Sequence, residues 1–172
     1  MERLELRQKF IETLQNVKKS GFKILDVSER SFGENNGKNS VRLRLAIDSC
    51  GKPLSVFVDY IWGKSCEDCI NILHHLEYFN PEILAKEKDQ LLEGFWQETH
   101  PDSRFKLRVS ETGNIAVLGT TFNIGNIDPD DLPGILEENI ISLVKEIPHA
   151  EIFTKRFTQI EKRHTQKNPV TE

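Results

Sequence analysis

Apolar and polar residues alternate most strictly along residues 40–48 of this chain, which read SVRLRLAID. A period of two is typical of a β-strand that buries one face and exposes the other. Residues 53–62 return after a short turn with a similar alternation, and residues 22–32 form a third, less regular candidate. Since connections this short cannot span a parallel crossover, the three segments predict an antiparallel meander.

A second pair of strands is predicted further along the chain. Residues 104–110 alternate between basic and apolar side chains, and residues 115–122 follow a turn that contains Gly113. Two alternating segments joined by a short glycine-containing turn favour a β-hairpin. The sequence therefore predicts five strands in two antiparallel groups.

Five segments carry apolar residues at the helical period near 3.6 and predict helices: residues 2–19, 65–79, 81–97, 128–147 and 150–164. Asp128 is placed to cap the fourth helix, and Pro129 suits its first turn. We expect Pro148 to end that helix, since proline cannot donate the backbone hydrogen bond that a helix interior needs.

The predicted order of elements is α-β-β-β-α-α-β-β-α, followed by a C-terminal helix. Strands in antiparallel groups with helices between them are typical of an α+β domain. We expect one antiparallel five-stranded sheet with helices packed on it, formed by residues 1–147. Residues 148–164 would then be a helical extension, and residues 165–172 a disordered tail.

Composition changes this picture mainly by excluding classes of protein. The chain has 172 residues, 37% of them hydrophobic, and a net charge of −4, which weighs against general nucleic-acid binding. The first ten residues lack the apolar core of a secretory signal, and no apolar run approaches the about 20 residues that span a membrane. Three cysteines do not make a disulfide framework. We therefore expect a cytoplasmic protein without membrane contact.

Cys66 and Cys69 form the one motif with potential chemistry, a Cys-x-x-Cys pair at the predicted start of the helix over residues 65–79. A helix N-terminus favours the reactive thiolate, as in thioredoxin-like proteins. Against this, Glu67 and Asp68 lie between the cysteines and would oppose a thiolate. The upstream chain is also a meander rather than β-α-β. Packing is the favoured interpretation of both cysteines, and a thiol redox protein is the alternative.

A zinc site at this motif would need His74 and His75 as further ligands. On a helix with 3.6 residues per turn, His75 lies almost opposite Cys66, so the four side chains cannot converge on one tetrahedral ion. We expect no metal and no other cofactor.

Five basic residues occupy polar positions of two predicted strands: Arg42, Arg44, Arg104, Lys106 and Arg108. If these strands are neighbours, an acidic protein would carry a basic sheet face that could bind an anion, an acidic peptide or nucleic acid. Basic residues are also ordinary on a solvated sheet face, and the stacking aromatics of RNA-binding sheets are missing. A solvated face is therefore the favoured interpretation, and nucleic acid is the least expected ligand.

The chain contains no phosphate-binding glycine loop, nucleophile elbow or metalloprotease motif, so we do not expect an enzyme. The order of its elements resembles the type III secretion chaperone-like fold, and within it the bacterial YbjN-type proteins. The resemblance covers about residues 4–147 and is carried by FKILDVSERSF, by VRLRLAID and by the segment from RFKLRVSETG to the helix that IDPDDL opens. The helix over residues 81–97 and the segment after Pro148 depart from that pattern.

The resemblance implies a small, cytoplasmic, often dimeric protein that binds other proteins without catalysis. We therefore expect a chaperone-like or regulatory protein-binding module that forms a homodimer and binds a segment of another protein. Two alternatives stay open: a thiol redox protein using Cys66 and Cys69, and an anion or nucleic-acid binder using the basic strands.

Overall fold

The computed structural model describes residues 8, 10–13, 22–32, 38–49, 51–63, 67–78, 86–109, 115–125, 127–128 and 130–167. These ranges contain six strands and two long helices: β1 (Phe22–Phe32), β2 (Lys38–Ser49), β3 (Lys52–Gly63), β4 (Cys69–Tyr78), the central helix (Lys86–Thr99), β5 (Lys106–Val109), β6 (Ile115–Asn123) and the C-terminal helix (Leu132–Lys167). Residues 8 and 10–13 are also helical, in agreement with the helix predicted over residues 2–19.

The strands form one open antiparallel sheet in the order β1-β2-β3-β4-β6-β5. β1, β2 and β3 are the predicted meander, in which β2 pairs with β3 along its whole length. β5 and β6 pair as predicted, with Leu107 opposite Leu118, while the turn at Gly113 lies outside the described residues. The α+β class and the antiparallel sheet are confirmed, but the sheet has six strands rather than five.

The sixth strand is β4, and it replaces the helix predicted over residues 65–79. Its buried side chains fall at every second position: Ile70, Ile72, His74 and Leu76. β4 pairs with β3, which brings Ile72 opposite Val58 and Ile70 opposite Tyr60. A short apolar segment can fit the helical and the strand period equally well, and here the pairing with β3 decides for the strand.

Polar contacts hold the entry to β4 beside β6. The Thr121 hydroxyl donates a hydrogen bond of 2.7 Å to the side-chain oxygen of Asn71 across the two strands. Just before β4, the backbone carbonyl of Asp68 accepts the N–H of Ile124 at 3.0 Å. The carboxylate of Asp68 accepts the Tyr60 hydroxyl at 2.8 Å. Asp68 thus fixes the start of a strand through both its backbone and its side chain.

The C-terminal helix is continuous through Pro148, so the predicted end of a helix at this proline is wrong. Buried side chains stand on both sides of it, with Ile147 1% exposed and Ala150 0% exposed. Burial of this apolar stripe keeps the helix intact at a position where proline alone would end it. The segment predicted separately over residues 150–164 is the second half of the same helix.

The C-terminal helix begins at Leu132, four residues after the predicted start at residue 128. The Asp128 carboxylate accepts the backbone N–H of Asp130 at 2.9 Å and so satisfies a donor ahead of the first turn. Pro129 lies outside the described residues. None of the helices in the described part of the chain combines the length and the apolar character that crossing a membrane requires.

The chain forms two compact units. One comprises Met1–His74 and Thr120–Val144. Most of its buried apolar side chains come from one face of β2, β3 and β4 and from the start of the C-terminal helix, and Phe10 and Ile124 add to them. The other comprises His75–Gly119 and Lys145–Glu172. In that unit Trp96 is fully buried, and its indole N–H donates to the carbonyl oxygen of Phe105 at 3.0 Å.

Candidate functional site

β1 is the first strand in the sheet order, so within the described residues it pairs on one side only, with β2. Two large apolar side chains of β1 are nearly half exposed, Leu25 at 46% and Val27 at 44%. Exposed apolar side chains on an open strand edge are features that allow another polypeptide to bind in extended form. We call this edge, residues 22–28 of β1, the β1 edge.

A register shift in β1 positions Leu25. Ile24 lies opposite Leu45 of β2 and Asp26 lies opposite Arg44, so Leu25 has no residue opposite it on β2. An extra residue of this kind bends a strand and redirects the side chains around it. The bulge also explains why residues 22–32 alternate less regularly than β2. This irregular alternation is the feature of the sequence that could have indicated the bulge.

Val27 faces the same side of the sheet as core residues of β2. It lies opposite Leu43, which is 0% exposed. Residues directly opposite each other in an antiparallel pair project to the same face. The side chains that bury Leu43 therefore do not fully cover Val27, and this face of the sheet stays partly exposed and apolar at β1.

A cavity of about 250 Å³ lies at the end of β1 that carries Lys23. Its walls come from the ends of three strands and the turn between β2 and β3: Lys23, Ala46, Ile47, Asp48, Gly51 and Pro53. The turn is held by Gly51, whose φ of 78° suits glycine, and by the Asp48 carboxylate, which accepts the Gly51 N–H at 2.9 Å. Cys50 lies outside the described residues.

Arg42, one of the predicted basic residues, is paired within the sheet. Its guanidinium donates two hydrogen bonds of 2.6 Å to the Asp59 carboxylate, directly opposite on β3. It also lies 5.2 Å from the centre of the Phe57 ring. The hydrogen bonds to Asp59 raise the pKa of Arg42 above its ordinary value, although burial opposes them, so Arg42 stays charged. Arg44 is exposed and donates to the Ser55 hydroxyl at 3.2 and 3.3 Å.

The basic residues of β5 share an acidic partner on the central helix. Arg108 lies 3.3 Å and Lys106 3.7 Å from the same carboxylate oxygen of Glu93. Arg104, just ahead of β5, is exposed. In the sheet order β3, β4 and β6 stand between β2 and β5, so the two basic strands are not neighbours. The structure does not bring the five predicted basic residues together.

Cys69 is the first residue of β4, and its side chain is half-buried. Cys66 lies outside the described residues. Because residues 69–78 form a strand, Cys69 does not stand at a helix N-terminus, which was the physical basis for an activated thiolate.

His74 and His75 face opposite sides of β4, since consecutive residues of a strand alternate between faces. His74 is buried, and its Nδ1 lies 2.7 Å from the carbonyl oxygen of Ser55. The two imidazoles cannot bind one metal ion together. Across the part of the chain that the structure describes, no group of three His, Cys, Asp or Glu side chains is placed to hold a metal.

Comparison with known proteins does not place the chain in a family. No protein-family model matches it, and no match is found among curated proteins or solved structures.

Proposed function

We propose that this protein is a non-catalytic, chaperone-like protein-binding module that captures an extended segment of another polypeptide along the β1 edge. The observation that supports the proposal is the exposure of Leu25 and Val27 on a strand that ends the described sheet. Both the backbone of β1 and its side chains support this function.

The backbone of β1 offers hydrogen-bonding groups to an extended chain. In an edge strand every second residue directs its N–H and C=O groups away from the neighbouring strand, and these groups pair with a segment laid alongside. β1 is 11 residues long, which suits a partner segment of similar length. Backbone pairing contributes affinity with little sequence preference, as a chaperone-like function requires.

The side chains of the β1 edge favour apolar partner segments. Burying an exposed Val or Leu contributes about 1.5–3 kcal/mol, and half-exposed side chains such as Leu25 and Val27 contribute about half of that each. We therefore propose a partner segment with apolar residues at alternate positions.

A second copy of this chain is the other polypeptide that could occupy the edge. We propose that two copies form a cytoplasmic homodimer through β1 when no partner segment is bound. The resemblance to YbjN-type and secretion chaperone-like proteins agrees with binding of extended segments through apolar patches. β4 departs from that resemblance, because it is a strand where the pattern has a helix.

Binding of a permanently unfolded polypeptide, reduced and carboxymethylated α-lactalbumin, tests the proposal by fluorescence anisotropy. Leu25→Lys combined with Val27→Lys should weaken binding by about tenfold or more, because two apolar contacts are lost and two charges are introduced. Ile141→Lys is the matched control, since Ile141 is an exposed apolar residue (38%) outside β1. This control should bind like the wild type.

Both variants should remain folded, with the free energy of unfolding lowered by about 1 kcal/mol per replaced residue, because the buried half of each side chain is lost. Unchanged binding by the double variant would contradict the proposal. An equal loss in Ile141→Lys would also contradict it, since that result would indicate general apolar adhesion. Sedimentation velocity on the same variants tests the homodimer. The double variant should sediment as a monomer, and the Ile141→Lys control should sediment as a dimer like the wild type.

A further inference from the structure

A second cavity, of about 310 Å³, lies within the compact unit formed by His75–Gly119 and Lys145–Glu172. Its walls come from the C-terminal helix and from the end of the central helix: Thr99, His100, His149, Ile152, Phe153 and Arg156. The four residues from the C-terminal helix are spaced i, i+3, i+4 and i+7, which places them on one helix face. This cavity differs from the β1 edge, because aromatic and polar side chains line it, whereas the β1 edge presents backbone N–H and C=O groups.

The base of this cavity is a stack of rings. His100 lies on the fully buried Trp96, with ring centroids 4.0 Å apart and planes 17° apart. Phe153 meets both rings edge-on, with centroids 5.6 Å from Trp96 and 6.3 Å from His100. The hydrogen bond from the Trp96 indole to the Phe105 carbonyl fixes the stack in place. A fixed stack of this kind offers a planar surface to a further ring.

No carboxylate is among the residues that line the cavity, and Arg156 is the one permanently charged residue in the lining. Arg156 is exposed and carries a planar guanidinium whose five N–H groups match a carboxylate. The His149 ring lies 6.2 Å from that of His100. The chain as a whole has 27 acidic and 23 basic residues, so a wall with one guanidinium, two imidazoles and no acid departs from its average surface. The local charge favours an anion.

We propose that this cavity binds a small aromatic carboxylate. Its ring lies against the His100–Trp96 stack and its carboxylate pairs with Arg156. An inorganic anion would leave Phe153 and the 53% exposed Ile152 in water, whereas a ring covers both. A neutral aromatic compound would leave the guanidinium without a partner in the complex. The volume is at the lower end of small-molecule sites, which are about 300–1,000 Å³, and it suits one ring or two fused rings.

2-Naphthoate is the probe for this site, with 2-naphthalenemethanol as the neutral counterpart and acetate as the anion without a ring. The chain has two tryptophans, so two indole N–H signals in a ¹H–¹⁵N spectrum report on binding. Trp96 underlies the cavity, whereas Trp62 stacks on Tyr60 of β3. The Trp62→Phe variant lacks the indole N–H signal of Trp62, so its spectrum assigns both signals. 2-Naphthoate should shift the Trp96 signal saturably and leave the Trp62 signal unchanged.

The neutral alcohol should bind at least about fivefold more weakly than 2-naphthoate, and acetate should shift neither signal. Arg156→Gln should weaken 2-naphthoate binding about tenfold, since it removes a charge-assisted pair. Lys155→Gln, the neighbouring cation outside the cavity wall, is the matched control and should bind like the wild type. Equal binding of the alcohol, equal losses in the two variants, or no saturable Trp96 shift up to about 10 mM probe would overturn the proposal.

Discussion

At the scale of single residues, Arg42 illustrates how register changes the meaning of a charged side chain. The alternation of β2 correctly puts Arg42 on the face opposite Leu43, but charge patterning does not say which acid lies across from it. Register decides this, and the register between β2 and β3 places Asp59 directly opposite. A residue that looks like part of an anion-binding face is therefore engaged in the sheet itself.

Replacing Arg42 with Met should lower the free energy of unfolding by about 2–3 kcal/mol, because the Asp59 carboxylate is left buried without its partner. Only 19% of the Arg42 and 8% of the Asp59 side-chain surface is exposed. Urea denaturation measures the effect. Arg44→Met, on the same strand face but exposed, is the control and should cost less than about 0.5 kcal/mol.

The double variant Arg42→Met with Asp59→Leu separates loss of the pair from burial of an unpaired charge. It should be more stable than Arg42→Met alone, because no carboxylate is left uncompensated. A double variant that is less stable than the single one would contradict this explanation.

The contribution of Arg42 to stability depends on pH with a definite sign. Its pKa in the folded state lies above the ordinary value. The stabilisation by the charged guanidinium is therefore fully present below the unfolded-state pKa and is lost only as the pH rises through the folded-state value. Titration of Arg42 itself thus adds no change of stability near neutral pH.

At the scale of elements, the period of the sequence identifies the meander and the hairpin, because apolar and polar residues alternate along residues 40–48 and again along residues 104–110. The same reasoning fails at β4, where Ile72 and Leu76 fit both a strand face and a helical stripe. The strand face includes Ile70, whereas the predicted helical stripe includes Cys69 and Leu73. Pairing with β3 distinguishes the two structures, and a pairing partner far along the chain is not a local property.

Pro148 gives a prediction at this scale, since it lies inside the C-terminal helix. Pro148→Ala should raise the free energy of unfolding by about 2 kcal/mol, because alanine restores the missing hydrogen bond to the preceding turn and removes the ring clash. Thermal denaturation measures the gain. Pro133→Ala is the matched control and should change stability by less than about 0.5 kcal/mol, since Pro133 lies in the first turn, where the N–H has no helical partner. Equal effects of the two substitutions would contradict this account of the helix.

At the scale of the whole molecule, the candidate site depends on strand order, which local sequence does not contain. The sequence predicts residues 22–32 as a strand but not as the end of the sheet, so Leu25 and Val27 look like ordinary core residues. The cavity at Arg156 could not be predicted from local sequence either, because residues from two helices form its wall. What could be predicted was the α+β class and the meander; what could not was which surfaces are left open.

Hydrogen–deuterium exchange of the backbone amides tests the central proposal most directly. The exchange of residues 22–32 is measured with and without saturating carboxymethylated α-lactalbumin, at a protein concentration at which sedimentation velocity shows the monomer. Residues 115–123 of β6 serve as an internal reference in the same sheet. If the partner adds a strand at the β1 edge, outward-facing amides of β1 form new hydrogen bonds, and their exchange slows while that of β6 stays unchanged. Unchanged exchange in β1 with protection at another element would contradict the account.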